Sequence, residues 1–243
     1  MEQAPTQKQP LSGKVILVTG GARRIGQAIC EELWAHGAIV AIHHHQSTVA
    51  AQQLAQRLGA RAVVVRADLC DRAATEAMFA ELGNRLGRID GLVNSAAVFA
   101  RTPIETLTDE QWDDILAVNL TAPRRCMQLA IAAGTSAIVN IVDVGAIQPW
   151  RGYAAYGVAK AGLLHLTRIA AKELLGRVRV NAVAPGLVLL PDDVAPAERD
   201  RLHAKLTGPP SGSPQDVARA VRYLLSEPFV TGVCVPVDGG QSL

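Results

Sequence analysis

The sequence predicts a single doubly wound α/β domain, a seven-stranded parallel sheet flanked by helices. Three observations predict it. Short aliphatic runs alternate with longer stretches at helical spacing along almost the whole chain. Those runs are apolar at successive positions, so both faces of each strand are covered, as in a parallel sheet between two helical layers. A glycine-bearing turn joins the first run to the first helical stretch, where such folds place a phosphate site.

The elements follow in order. Residues 1–12 are polar and proline-containing and read as a flexible tail; the domain spans 13–243. The strand candidates are Val15–Val18, Ile39–Ile42, Ala62–Val65, Ile89–Val93, Ala137–Val142, Val178–Val183 and Val233–Val237. Between them lie amphipathic stretches such as Gln27–His36, Val49–Leu58, Arg72–Leu86 and Tyr153–Leu175. From Pro185 to Pro214 the rhythm breaks into prolines, glycines and serines around a short helical piece, Ala197–Lys205. A long connection after the sixth strand, at the carboxyl edge of the sheet, reads as a substrate-side flap.

Composition removes whole classes. Of 243 residues, 49% are hydrophobic and 19% charged, an ordinary globular balance. A net charge of +2 from 24 basic and 22 acidic residues, without a basic block, argues against a nucleic-acid or anionic-membrane binder. No apolar run approaches the roughly 20 residues that span a bilayer. The first ten residues lack the apolar centre of a signal peptide, and Cys30, Cys70, Cys126 and Cys234 form no CxxC pair, so a cytoplasmic protein with reduced thiols is expected. Aromatic residues are scarce, with three each of Phe, Tyr and Trp. The core must therefore be aliphatic, and an aromatic near a cleft is less easily incidental.

The turn after the first strand reads Thr19-Gly20-Gly21-Ala22-Arg23-Arg24-Ile25-Gly26. Its backbone N–H groups and the following helix dipole suit a phosphate, so Gly20, Arg23, Arg24, Ile25 and Gly26 are candidate cofactor ligands. The second strand runs into His43-His44-His45-Gln46-Ser47, without the carboxylate that often binds a ribose there. With no acid to repel a 2′-phosphate and two arginines in the turn, NADPH is favoured over NADH, and His44, His45, Gln46 and Ser47 join the adenosine side. The histidines also invite a metal reading. Only His43 and His45 share a strand face, and no adjacent carboxylate or cysteine completes a shell, so no metal is expected.

Tyr156 and Lys160 stand four apart near the start of a helix and so share one face. An ammonium beside a phenol should lower the tyrosine pKa and let it trade a proton near neutrality.

Taken with the Gly turn, Asn94-Ser95-Ala96-Ala97 after the fourth strand, Asn119 and Pro185-Gly186, this tetrad resembles the short-chain dehydrogenase/reductase family, over nearly the whole chain after the tail. The resemblance implies a Rossmann domain and an NAD(P)-dependent oxidoreductase. It implies Tyr156, Lys160 and Asn119 as catalytic, the last holding Lys160 through a water. It adds Asp68, Leu69, Asn94, Ser95, Ala96, Pro185, Gly186 and Leu187, with Tyr156 and Lys160, to the cofactor contacts. A homotetramer is also implied.

Three departures from the family pattern carry a finer resemblance. Arg24 stands at the middle glycine of the turn. Asp143 replaces the serine usually found 13 residues before the tyrosine. Phe99 follows the Asn94 segment. With Pro185-Gly186-Leu187 leading to Asp192-Asp193 and the ending Val237–Leu243, these resemble the pteridine reductases, whose bacterial relatives include dihydromonapterin reductases. The implied substrate is a pterin or dihydropterin, with dihydrofolate among the candidates. Arg24, Phe99, Asp143 and Tyr156 would contact it, Phe99 by stacking on the flat ring and Asp143 with Tyr156 by handling the proton that a reduced C=N bond needs.

Two other functions fit the same residues. One is a reductase of a carbonyl or hydroxyl substrate such as a 3-oxoacyl thioester or a sugar. The other is a non-catalytic NADP(H)-binding protein that senses redox state.

Overall fold

The computed structural model describes residues 10–188 and 212–243. The expected tail therefore lies almost wholly outside the described residues. So do most of the expected flap, with its helical piece at Ala197–Lys205, and Asp192 and Asp193.

Seven parallel strands form one sheet in the order β3-β2-β1-β4-β5-β6-β7. They are β1 (Val15–Thr19), β2 (Ile39–His44), β3 (Ala62–Arg66), β4 (Gly91–Asn94), β5 (Ala137–Ile141), β6 (Arg179–Pro185) and β7 (Cys234–Val237). Each expected strand is present. The largest shift in start is at β4, which begins at Gly91 rather than Ile89 because Asp90 is a clamp: its carboxylate accepts the Val15 amide at 2.8 Å and pairs with Lys14 and Arg88.

The helices are α1 (Arg24–Ala35), α2 (Thr48–Leu58), α3 (Arg72–Leu86), α4 (Asp109–Leu116), α5 (Ala122–Ala132), α6 (Ala154–Glu173) and α7 (Pro214–Ser226). Helix α4 starts at a capping box between Thr108 and Gln111, and α7 at one between Ser213 and Asp216. A five-residue π-helical turn, Ala117–Thr121, joins α4 to α5. No described helix is long and apolar enough to cross a membrane.

Strand parity divides the core. Ile16, Val18, Val40 and Ile42 pack with Ile29 and Leu33 of α1, Leu54 of α2 and Leu224 of α7. Leu17, Ala41 and Leu92 face the other way, onto Met78 and Leu82 of α3 and Cys126 and Met127 of α5. All are buried, and each Val, Leu, Ile and Met among them contributes roughly 1.5–3 kcal/mol by leaving water. A buried polar ladder crosses the second layer: Asn94 Nδ2 donates to Asn140 Oδ1 at 2.8 Å, and Asn140 Nδ2 to Thr167 Oγ1 at 2.9 Å. It ties β4 and β5 to α6, the helix that carries Tyr156 and Lys160.

The chain leaves β1 for β2 on one side and resumes with β4 on the other. The carboxyl ends of β1 and β4 thus open a crevice at the switch point, the place where such sheets bind ligands.

Candidate active site

A cavity of about 560 Å³ fills that crevice. Its first wall is the turn between β1 and α1. Gly20 has φ +63°, and a Cβ there would stand 2.8 Å from Ala96 Cα; a Cβ on Gly26 would overlap the Gly20 carbonyl oxygen. The turn is therefore closed so tightly that only glycine fits at both places. Thr19 Oγ1 accepts the amides of Ser95 and Ala96 at 3.0 and 3.1 Å, which draws the segment after β4 against the turn. Arg24 also adopts a left-handed conformation, φ +54°, the only non-glycine among the described residues to do so. A side chain placed there costs on the order of 1–2 kcal/mol, strain of the kind that clusters at functional sites.

Beyond the turn the cavity is lined by His43, His44, His45, Gln46 and Ser47 at the end of β2. His44 is buried, and its Nδ1 has no hydrogen-bond partner among the described residues. Burial and the nearby Arg66 guanidinium push its pKa down, so the ring is neutral at pH 7.

The second wall carries the titratable groups. Asp143 follows β5 and caps a short 3-10 turn, Val144–Ala146; its Oδ1 accepts the Gly145 amide at 2.6 Å. Its Oδ2 accepts the Tyr156 hydroxyl at 3.1 Å. Burial raises the Asp143 pKa, opposed by the Gly145 and Tyr156 hydrogen bonds and by Lys160. Lys160 is buried one turn beyond Tyr156, and its Nζ donates to the Ile141 carbonyl at 2.9 Å and lies 5.7 Å from the Tyr156 ring centroid. Burial holds it down at about 8, though Asp143 pulls the other way.

This arrangement corrects the expected phenolate. Tyr156 is raised above its ordinary value by burial first, then by the charge of Asp143 and by the hydrogen bond to it. Its hydroxyl faces a carboxylate rather than the ammonium, which is taken up by Ile141. Tyr156 is a held phenol, its hydroxyl protonated at neutral pH and donating to Asp143.

Third comes an aromatic wall. Phe99 is 45% exposed and lines the cavity, so it is no core residue. Tyr153 stacks on one of its faces, centroids 4.7 Å apart at 16°. Tyr156 and Trp150 meet it edge to face at 4.9 and 6.2 Å. Half-exposed on the cavity wall, Phe99 offers aromatic surface to whatever the cavity holds. Tyr153 went unnoticed in the sequence, where only its position at the start of the α6 stretch marked it. The loop carrying Phe99 is stitched to α6: Thr102 N donates to Gly152 O at 2.7 Å and Ala154 N to Thr102 O at 3.1 Å.

The cavity wall thus brings together Gly20, Arg23, Arg24, Ile25, Gly26, His44, His45, Gln46, Ser47, Ser95, Ala96, Phe99, Asp143, Tyr156, Lys160, Pro185, Gly186 and Leu187, all anticipated, with Trp150 beside them. Four anticipated residues are placed elsewhere. Asn94 turns into the polar ladder, Leu69 into the core, and Asp68 bonds the Cys70 amide, 4.0 Å from His45. Asn119 is buried in the π-helical turn; its amide bonds both the N–H and the carbonyl of Val98 and the Ile115 carbonyl. It braces the segment that precedes Phe99. No cluster of histidine, cysteine and carboxylate suited to a metal occurs among the described residues.

Residues 20–242 match a family model described as enoyl-(acyl carrier protein) reductase. The chain is 35% identical to pteridine reductase 1 of Leishmania tarentolae, over 94% of this chain and 96% of that protein. It is 32% identical to the 3-oxoacyl-[acyl-carrier-protein] reductase FabG of Staphylococcus aureus, over 94% of this chain and 98% of that one. A solved dehydrogenase/reductase from Sinorhizobium meliloti superposes with a TM-score of 0.90 at 33% identity, covering 97% of this chain and 98% of that chain.

Proposed function

The chain belongs to the short-chain dehydrogenase/reductase family, and we propose that within it the protein is an NADPH-dependent reductase of a pterin or dihydropterin ring. The observation that carries this reading is the Tyr156–Asp143 hydrogen bond on a cavity wall shared with the half-exposed Phe99 ring.

The cavity suits a dinucleotide on two grounds: a turn too tight for any side chain at Gly20 and Gly26, and a buried, unpartnered His44 Nδ1 on its wall. The turn's amides and α1 would hold the phosphates. His44, Gln46 and Ser47 would hold the adenosine end, and Lys160 and the Pro185–Leu187 segment the nicotinamide end. With Arg23 and Arg24 on the wall and no acid ending β2, the 2′-phosphorylated form is favoured. When bound, the cofactor supplies the hydride.

The protein's own groups supply the rest. Phe99 packs its exposed ring surface on a flat heterocycle, an orientation effect that fixes which ring carbon faces the donor. Tyr156, kept protonated by burial and by Asp143, gives its proton to the ring nitrogen. Asp143 accepts from the hydroxyl before transfer, and the two titrate as a coupled pair. Arg24, strained into the left-handed region beside the turn, donates to the oxygen or nitrogen of the pterin edge.

The 3-oxoacyl-thioester reading has its own support in the FabG relatives, which match the chain almost as well as the pteridine reductase does. Loss of NADPH absorbance with dihydrobiopterin or dihydromonapterin, and none with 3-oxoacyl thioesters and simple ketones, supports the pterin reading; the opposite pattern overturns it. We also propose a cytoplasmic homotetramer. Edge strand β7 is only half-buried, and Phe229 beside it is 99% exposed, an apolar surface suited to a second copy. Light scattering after gel filtration measures the assembly, and a monomer would refute it.

A further inference from the structure

His43 sits at the last turn-facing position of β2 and is 2% exposed. Both of its polar ends are bonded to backbone. Nδ1 accepts the Gly20 amide at 3.1 Å, and Nε2 meets the Ala67 carbonyl at 3.1 Å. An amide can only donate and a carbonyl can only accept, so the ring is a neutral tautomer with its proton on Nε2. The His43 backbone is engaged as well, its carbonyl accepting the Gly21 amide at 2.9 Å. One residue therefore takes both leading amides of the glycine turn and pins the turn to the end of β3.

We infer that His43 is a positioning residue for the dinucleotide: by consuming the Gly20 and Gly21 amides it sets the turn so that the donors left for phosphate are those that follow, at the start of α1. The inference rests on the reading of the turn as the phosphate site. Helix geometry leaves the first amides of α1 without intrahelical partners, which is what an anion requires. Losing the imidazole strands a Gly20 N–H in a turn that has no slack, since Gly20 already lies against Ala96 and Gly26 against Gly20. The ring's low basicity agrees with this role: desolvation holds its pKa at about 4, so the neutral two-handed form is the one present at neutral pH.

Glutamine offers one acceptor and one donor at a spacing like that of the imidazole nitrogens, whereas phenylalanine fills the space and bonds neither partner. The probe is NADPH itself, followed by its fluorescence on binding, with melting temperature measured in parallel. His43→Phe should weaken NADPH binding at least tenfold, and His43→Gln should stay within about threefold of the parent. Nitrogen NMR of the parent should find the His43 proton on Nε2 and none on Nδ1. If His43→Phe melts lower yet binds NADPH like the parent, or if Gln is as harmful as Phe, the inference fails. Should His43→Phe not fold, His43→Asn, able to keep one of the two bonds, replaces it with an expected loss of at least threefold; undiminished binding overturns the inference. A parent that binds no dinucleotide overturns instead the reading of the turn, which separates the two failures.

Discussion

The Gly20–Gly26 turn and the wall around Phe99 face the same cavity, yet they are built from different material. The turn is fixed through its backbone: glycine contacts that admit no Cβ, and main-chain amides engaged by the His43 ring and, from Ser95 and Ala96, by the Thr19 hydroxyl. The Phe99 wall, though its loop is stitched to α6 by backbone, presents side chains to the cavity and packs them through a stack and two edge contacts among Phe99, Tyr153, Trp150 and Tyr156. Backbone constraints of the first kind serve any bound dinucleotide. Side-chain surfaces of the second kind can be changed without rebuilding the chain path, and the proposed substrate reading rests on them. Asp143 and Tyr156 stand at the seam.

If that division is right, damage at the seam should be greatest and should spare the cofactor. Tyr156→Phe removes the hydroxyl and should cut turnover by about a thousandfold, a normal loss for a positioned acid, with NADPH affinity unchanged. A comparable loss of NADPH binding would show that the two walls are not separable.

Lys160 offers a pH test. Its folded pKa, about 8, lies below the ordinary 10.5, so the folded state gives up its proton first. Turnover should fall as pH rises through about 8, when the ammonium is lost. Because the unfolded chain binds more protons between those values, Lys160's contribution to stability should grow over the same window. Lys160→Arg keeps its charge, so the activity limb should move to higher pH. A limb that stays at 8 in Lys160→Arg assigns it to another group.

Phe99→Ala should raise the KM for a dihydropterin about fivefold, near 1 kcal/mol for a lost ring contact, with smaller effects on kcat and on NADPH binding. Equal weakening of both ligands would erase the distinction between the walls. Smallest in stability is Arg24→Gly. Relief of the φ +54° strain should add up to about 1 kcal/mol, read as a higher Tm, while substrate affinity drops. A lower Tm would mean that Arg24's contacts outweigh its strain.

The same contrast explains what the sequence could disclose. The seven strands and the helical layers on both sides of the sheet were legible because runs such as Val15–Val18 are apolar at every position and separated by helical stretches, whereas the order of the strands in the sheet was not. The glycine turn was legible because its constraint is local. Distances across elements are not written in spacing. Tyr153 could not be seen behind Phe99, because its partner lies more than fifty residues away and only the fold joins them. Tyr156 and Lys160 share a helix face as their spacing indicates. The charge that governs the phenol is nonetheless Asp143, on a different element, so the direction of its pKa shift was inverted. Asn119 reads as a neighbour of Lys160 only by family pattern; a π-helical turn sends its amide to Val98 and Ile115.

The central claim is that Asp143 fits this site to a C=N bond in a pterin rather than to a ketone. It is tested by kcat/KM for dihydrobiopterin and for a 3-oxoacyl thioester, measured with NADPH in the parent and in Asp143→Ser. The parent should prefer the pterin, and Asp143→Ser should lose about a hundredfold on it with NADPH affinity unchanged and no parallel loss on the thioester. Pterin turnover at the parental rate in Asp143→Ser would contradict the claim.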